Sequence, residues 1–149
     1  MKNLVKSFLI IAAMLVIYSS SAAQGKLGVV GKIFPHGQAD ALFGKVTQSV
    51  QISTDELKSV IAKAKDYVFL TIKNNRAVVT NEKRESLIGN RVIPTQDEIM
   101  HYLSKSKLTE LLKGTSSTSV SIELRGTTLT VSTMESTMDM MGACPPVCL

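Results

Sequence analysis

The sequence predicts a small α+β domain, a mostly antiparallel sheet of about four to six strands with two or three helices. Three observations carry that expectation. Tyr67–Lys73 and Arg76–Thr80 are β-rich runs separated only by Asn74-Asn75. Ser119–Arg125 and Thr128–Ser132 repeat the pattern across Gly126. Between strand-like runs lie two segments with helix-start signatures. A chain of 149 residues matches the size of one domain, and its composition is that of a folded globule rather than a disordered chain.

Residues 1–23 read as a secretory signal peptide. Lys2 and Lys6 precede an apolar run from Phe8 to Tyr18, followed by Ser19-Ser20-Ser21-Ala22-Ala23. A short apolar core before small residues is the pattern of a cleaved leader. The run falls short of the ~20 residues a spanning helix needs. Cleavage after Ala23 leaves Gln24 at the mature N-terminus, so the expected localisation is secreted or periplasmic, with membrane contact only through the uncleaved leader. Cleavage removes Lys2 and Lys6 and no acid, so the formal charge of +5 falls by two. The remaining cations are scattered, among them Lys58, Lys63, Lys83, Arg84 and Lys105. No basic stripe interleaved with aromatics is present, which argues against nucleic acid as a partner.

Residues 24–44 read as an irregular N-terminal arm broken by Gly25, Gly28, Gly31, Pro35, Gly37 and Gly44. GKLGVVG has no preceding strand, so it does not make a phosphate cradle. The α+β domain spans 45–133. Val46, Gln48, Val50 and Ile52 alternate with Thr47, Ser49 and Gln51, the period of a half-buried strand. Ser53 and Glu56 form a capping box, and Leu57, Val60, Ile61 and Ala64 give one helical stripe. Tyr67–Lys73 puts Val68, Leu70 and Ile72 on one face. Asn74-Asn75 tolerates the positive φ of a tight turn. Thr95 and Glu98 form a second capping box, predicting a helix with Ile99, Tyr102 and Leu103 buried. It continues or restarts through Leu108, Leu111 and Leu112 to Lys113-Gly114. Val120, Ile122 and Leu124, then Leu129 and Val131, define the last hairpin.

Residues 134–149 form a tail holding both cysteines and four of the seven methionines, and no apolar alternation follows the hairpin that ends near Thr133. It is expected to project from the domain or fold loosely on it. Several readings of its chemistry stand side by side. Cys144 and Cys148 can form a local disulfide, because export favours oxidation and no odd thiol is left. A loop this short contributes less than the ~3 kcal/mol of a 15-residue one, so the bridge would shape the tail rather than hold the fold. Alternatively Met138, Met140, Met141, Cys144 and Cys148, with Met134, offer soft sulfur ligands for Cu(I). Thiol exchange would call for a CxxC spacing at a helix start, which is absent. The two thiols can also pair with another chain.

His36 and His101 are isolated in sequence, and no nucleophile elbow, HExxH or other metal spacing occurs. Glu82, Glu85, Asp97 and Glu98 would act as paired carboxylates only if folding brought them into one cleft. The sequence therefore points to an exported, non-enzymatic binding or structural module without a cofactor, its partner an unidentified protein or small ligand. The alternative is a Cu(I)-type metal-binding periplasmic protein acting through its Met/Cys tail.

Overall fold

The computed structural model describes residues 28–89, 94–95, 97–139 and 142–144. The leader and its cleavage site lie outside them, as do Met140, Met141 and Cys148. The described chain runs β1 (Lys32–Pro35), a 3-10 turn (His36–Gln38), α1 (Ala39–Phe43), β2 (Val46–Ser53), α2 (Thr54–Lys63), β3 (Tyr67–Lys73) and β4 (Arg76–Thr80). Then come β5 (Met100–Ser104), α3 (Lys105–Lys113), β6 (Ser119–Arg125), β7 (Thr128–Ser132), β8 (Ser136–Asp139) and β9 (Gly142–Cys144). Among the described residues the strands form two antiparallel sheets rather than one. The five-stranded sheet has the order β1-β8-β7-β6-β2, and the four-stranded sheet β4-β3-β5-β9.

Local chemistry fixes most elements. Ser53 Oγ accepts from the Glu56 backbone N–H at 3.1 Å, so α2 starts where its capping box places it. Asn74 and Asn75 take φ of 51° and 55°, joining β3 and β4 in a two-residue turn with the right-handed twist hairpins favour. Gly126, at φ 60°, does the same work between β6 and β7.

The segment expected to begin a helix at Thr95 is different. The box atoms do meet: Glu98 Oε2 accepts from the Thr95 N–H at 3.2 Å. But Glu98 is also held by Lys73 Nζ at 2.9 Å, and the chain leaves this turn extended. Met100–Ser104 pairs with β3, Val68 opposite Leu103 and Leu70 opposite His101. Ile99, expected inside, is 57% exposed. The unpaired edge of β3 outcompetes a capping box that carries only a weak local preference. The helix starts instead at Lys105, and Ser104 makes no cap bond because its Oγ accepts from the Val30 N–H at 2.7 Å. Leu108, Leu111 and Leu112 are buried on α3.

The two chain ends are also more ordered than the sequence suggests. The arm supplies β1 and α1. The segment after Thr133, expected to be loose, supplies β8, which lies between β1 and β7 with Met138 fully buried. Its continuation β9 pairs with β5. The folded body therefore runs past Thr133.

Both sheets send one face into a common core. Ile52, Val120, Ile122, Leu129, Val131 and Met138 come from the larger sheet; Val68, Leu70, Ala77, Val79 and Leu103 come from the smaller. Helix α2 packs against β2 and α3, and α3 against β5, β1 and β8. Val50 and Ile52 of β2 and the apolar positions assigned to the interior in α2, β3, β6 and β7 join this cluster or pack on it, whereas Val46, at the start of the β2 alternation, is 41% exposed.

Candidate functional site

Alternation along β6 places Ser119, Ser121, Glu123 and Arg125 on the face of the larger sheet turned from the core. Thr130 and Ser132 of β7 and Thr137 and Asp139 of β8 share that face through the pairs Glu123–Thr130, Ser121–Ser132, Ser132–Thr137 and Thr130–Asp139. A polar sheet face normally meets solvent. Here Glu123 is 7% exposed, Arg125 3% and Thr137 0%. Helix α1 approaches one end of this face: Arg125 Nη1 donates to Asp40 Oδ1 and to the Gly44 carbonyl at 3.1 Å. The 3-10 turn is pinned beside it, His36 N–H donating to the Glu135 carbonyl at 3.0 Å.

Burying charge on a sheet surface is costly unless each group is paired, and the network meets that condition. Arg125 Nε and Nη2 donate to Glu123 Oε2 at 3.0 and 2.8 Å. Ser132 Oγ donates to the same oxygen at 2.9 Å. Ser132 Oγ and Thr137 Oγ1 are 3.0 Å apart, and Thr137 Oγ1 lies 3.0 Å from His36 Nδ1. A continuous chain thus runs from Asp40 through Arg125, Glu123, Ser132 and Thr137 to His36. Burial opposes the charge of Arg125, but its hydrogen bonds to Asp40 and Glu123 outweigh burial and raise its pKa.

The network opens on a cleft of about 560 Å³, in the range of small-ligand sites. Its walls are His36, Gln51, Ser119, Ser121, Glu123, Ser132, Thr133 and Met134, with residues 116–118 of the loop entering β6. Seven of its eleven lining residues are Ser or Thr, and none is Phe, Tyr, Trp, Lys or Arg.

The residues singled out from sequence are dispersed. Met138 sits inside the apolar core, whereas Met134 is 78% exposed and lines the cleft. Cys144 ends β9, opposite Met100; its proposed bridge to Cys148, and Met140 and Met141, lie outside the described residues. Among the described residues no group of three or more His, Cys, Asp or Glu side chains is arranged to hold a metal ion. No helix there is long and apolar enough to cross a membrane.

His101, on β5, is partly buried, and burial lowers its pKa. The four carboxylates imagined as pairs have separate tasks. Glu82 Oε1 accepts from the Asp66 and Tyr67 N–H groups. Burial would raise its pKa, but these backbone bonds prevail and lower it. Glu85 takes Asn81 Nδ2 at 2.7 Å. Glu98 holds Lys73, and a side-chain bond from Thr95, first among several contacts, lowers the pKa of exposed Asp97.

Sequence reasoning placed His36 among isolated histidines and passed over Glu123, Arg125, Ser132 and Thr137. The available signal was the outward set of β6 and β7: two opposite charges at i, i+2 facing a column of hydroxyls. No family model, curated protein or solved structure matches this chain.

Proposed function

We propose that this protein is an exported, non-enzymatic binding module, secreted or periplasmic, whose ligand site is the hydroxyl-lined cleft on the outer face of the five-stranded sheet. The observation that carries this reading is the buried charged network ending in that cleft. A solvated polar face needs no such pairing, whereas a recognition surface needs polar groups held in fixed positions. A hydrolytic reading would require a nucleophile against an imidazole. The only hydroxyl hydrogen-bonded to His36 among the described residues is that of Thr137, which is fully buried. Export rests on the Lys2/Lys6, Phe8–Tyr18 and Ser21/Ala23 pattern, and the same compartment supports a Cys144–Cys148 bridge.

The test is a thermal-shift titration of the mature protein with small-molecule fractions of the medium or periplasm from which it is isolated. Ligand binding raises the Tm. Ser121→Phe, which fills the cleft from a partly exposed position, is expected to abolish that rise while the ligand-free protein stays folded. A shift that survives Ser121→Phe would place the ligand elsewhere. Mass analysis of the isolated protein should find Gln24 at its start; an intact Met1 would overturn export.

A further inference from the structure

The direction of each proton in the network can be assigned by elimination. Arg125 only donates, so Glu123 Oε2 accepts from it, and the Ser132 hydroxyl hydrogen is spent on the same oxygen. Ser132 Oγ must then accept from Thr137, whose single hydrogen is spent there. Thr137 Oγ1 has nothing left to give His36, so His36 Nδ1 must be the donor. The neutral imidazole is thereby held as the Nδ1–H tautomer, and Nε2 keeps its lone pair. No partner for Nε2 occurs among the described residues, and His36 lines the cleft. Glu123 Oε1 is in the same position: it has no hydrogen-bond partner among the described residues, and it is not among their buried unpaired atoms, which are limited to Thr80 Oγ1.

We infer that His36 Nε2 and Glu123 Oε1 form a fixed pair of hydrogen-bond acceptors that selects a neutral polyhydroxyl ligand of saccharide type; this rests on the cleft being the ligand site. Ser119 and Ser121 hydroxyls, also unpartnered among the described residues and lining the same cleft, can each donate and accept, which suits ligand hydroxyls that do both. Anions are disfavoured, because the acceptors repel them, the lining contains no Lys or Arg, and Arg125 is turned to Glu123, Asp40 and Gly44. Cations find no second carboxylate in the lining beside Glu123, whose Oε2 is already taken by two bonds from Arg125.

The experiment is NMR on the mature protein at pH 8, with maltose, N-acetylglucosamine, ethanolamine and inorganic phosphate as probes. The His36 ring should show a protonated Nδ1 and a bare Nε2, and Thr137→Val should release that preference. The neutral sugars should shift the Ser119, Ser121 and His36 signals. His36→Phe should weaken sugar binding about three- to tenfold, the loss of one hydrogen bond, in a variant that still melts cooperatively, if at a somewhat lower temperature for want of the bond to Thr137. An Nε2–H tautomer, or sugar affinity indifferent to His36→Phe, overturns the acceptor assignment and leaves the cleft as a site. Response to ethanolamine or phosphate alone overturns the ligand class. No response at the cleft to any of the four overturns the ligand class, and the cleft as a site falls only if Ser121→Phe also leaves the thermal shift untouched.

Discussion

The two sheets share one core and differ in what their outer faces bury. On the four-stranded sheet Phe69, Val78 and Met100 are covered together with partly buried Tyr67 and Tyr102, the Phe69 and Tyr102 rings stacked at 5.7 Å. On the five-stranded sheet the covered groups are Glu123, Arg125, Ser132 and Thr137. Apolar burial is non-directional and tolerates exchange of one side chain for another of similar volume. A buried polar network is stable only when every member has its partner. The first face can therefore exchange side chains of similar volume at small cost, while the second is held to a particular geometry.

The sharpest way to break this contrast is Arg125→Met. It leaves Glu123 buried without its cation, at an expected cost of about 3–5 kcal/mol in chemical denaturation. Glu123→Leu added to it should restore most of the loss, since the remaining hydroxyls no longer face an uncompensated charge. Failure of the double variant to recover would mean that Arg125 stabilises through packing of its stem.

Thr137→Val should cost about 1–3 kcal/mol, because it strips Ser132 of a donor and His36 Nδ1 of its acceptor. The same exchange on the other sheet should have the opposite sign. Thr80 lies opposite Phe69, and its Oγ1 is buried without a hydrogen bond. Thr80→Val removes an unsatisfied hydroxyl from apolar surroundings and should stabilise by about 1 kcal/mol. Equal effects at Thr80 and Thr137 would erase the distinction between the faces.

The smallest effect concerns acid. Burial lowers the His101 pKa from its ordinary 6.5, so below that pH the unfolded chain binds the proton more readily than the folded one. Stability should be level above about pH 6.5 and decline on acidification through the window below it. His101→Gln should remove that decline in pH-dependent melts. An unchanged decline would assign it to other groups.

The outward network was hidden for a reason that also explains the other differences. Periodicity reports burial only when the buried side chains are apolar. Val50, Ile52, Leu57, Val60, Val68 and Leu70 announce their faces because they alternate or stripe against polar neighbours. β8, Ser136–Asp139, contributes a single apolar side chain to the core, so it offered no period to read. β5 carries Met100, Tyr102 and Leu103 behind a capping box, a local signal that a vacant strand edge overrides. Glu123 and Arg125 look like solvent-facing residues of an amphipathic strand. Only the folded position of α1, some 85 residues earlier in the chain, places Asp40 and the Gly44 carbonyl against Arg125.

The pairing of β1 with β8 also sets the order of events in folding. His36 and Thr137 are 101 residues apart in sequence. Closing a loop of that length costs about 4 kcal/mol of chain entropy in its length-dependent part, incurred before any contact compensates. Contacts this distant slow folding relative to the hairpins β3–β4 and β6–β7, which close locally. Were the chain exported N-terminus first, as proposed, β1 would emerge early and wait for a partner about a hundred residues behind it. The larger sheet, and the cleft on its face, would then assemble only once residue 139, the end of β8, has crossed.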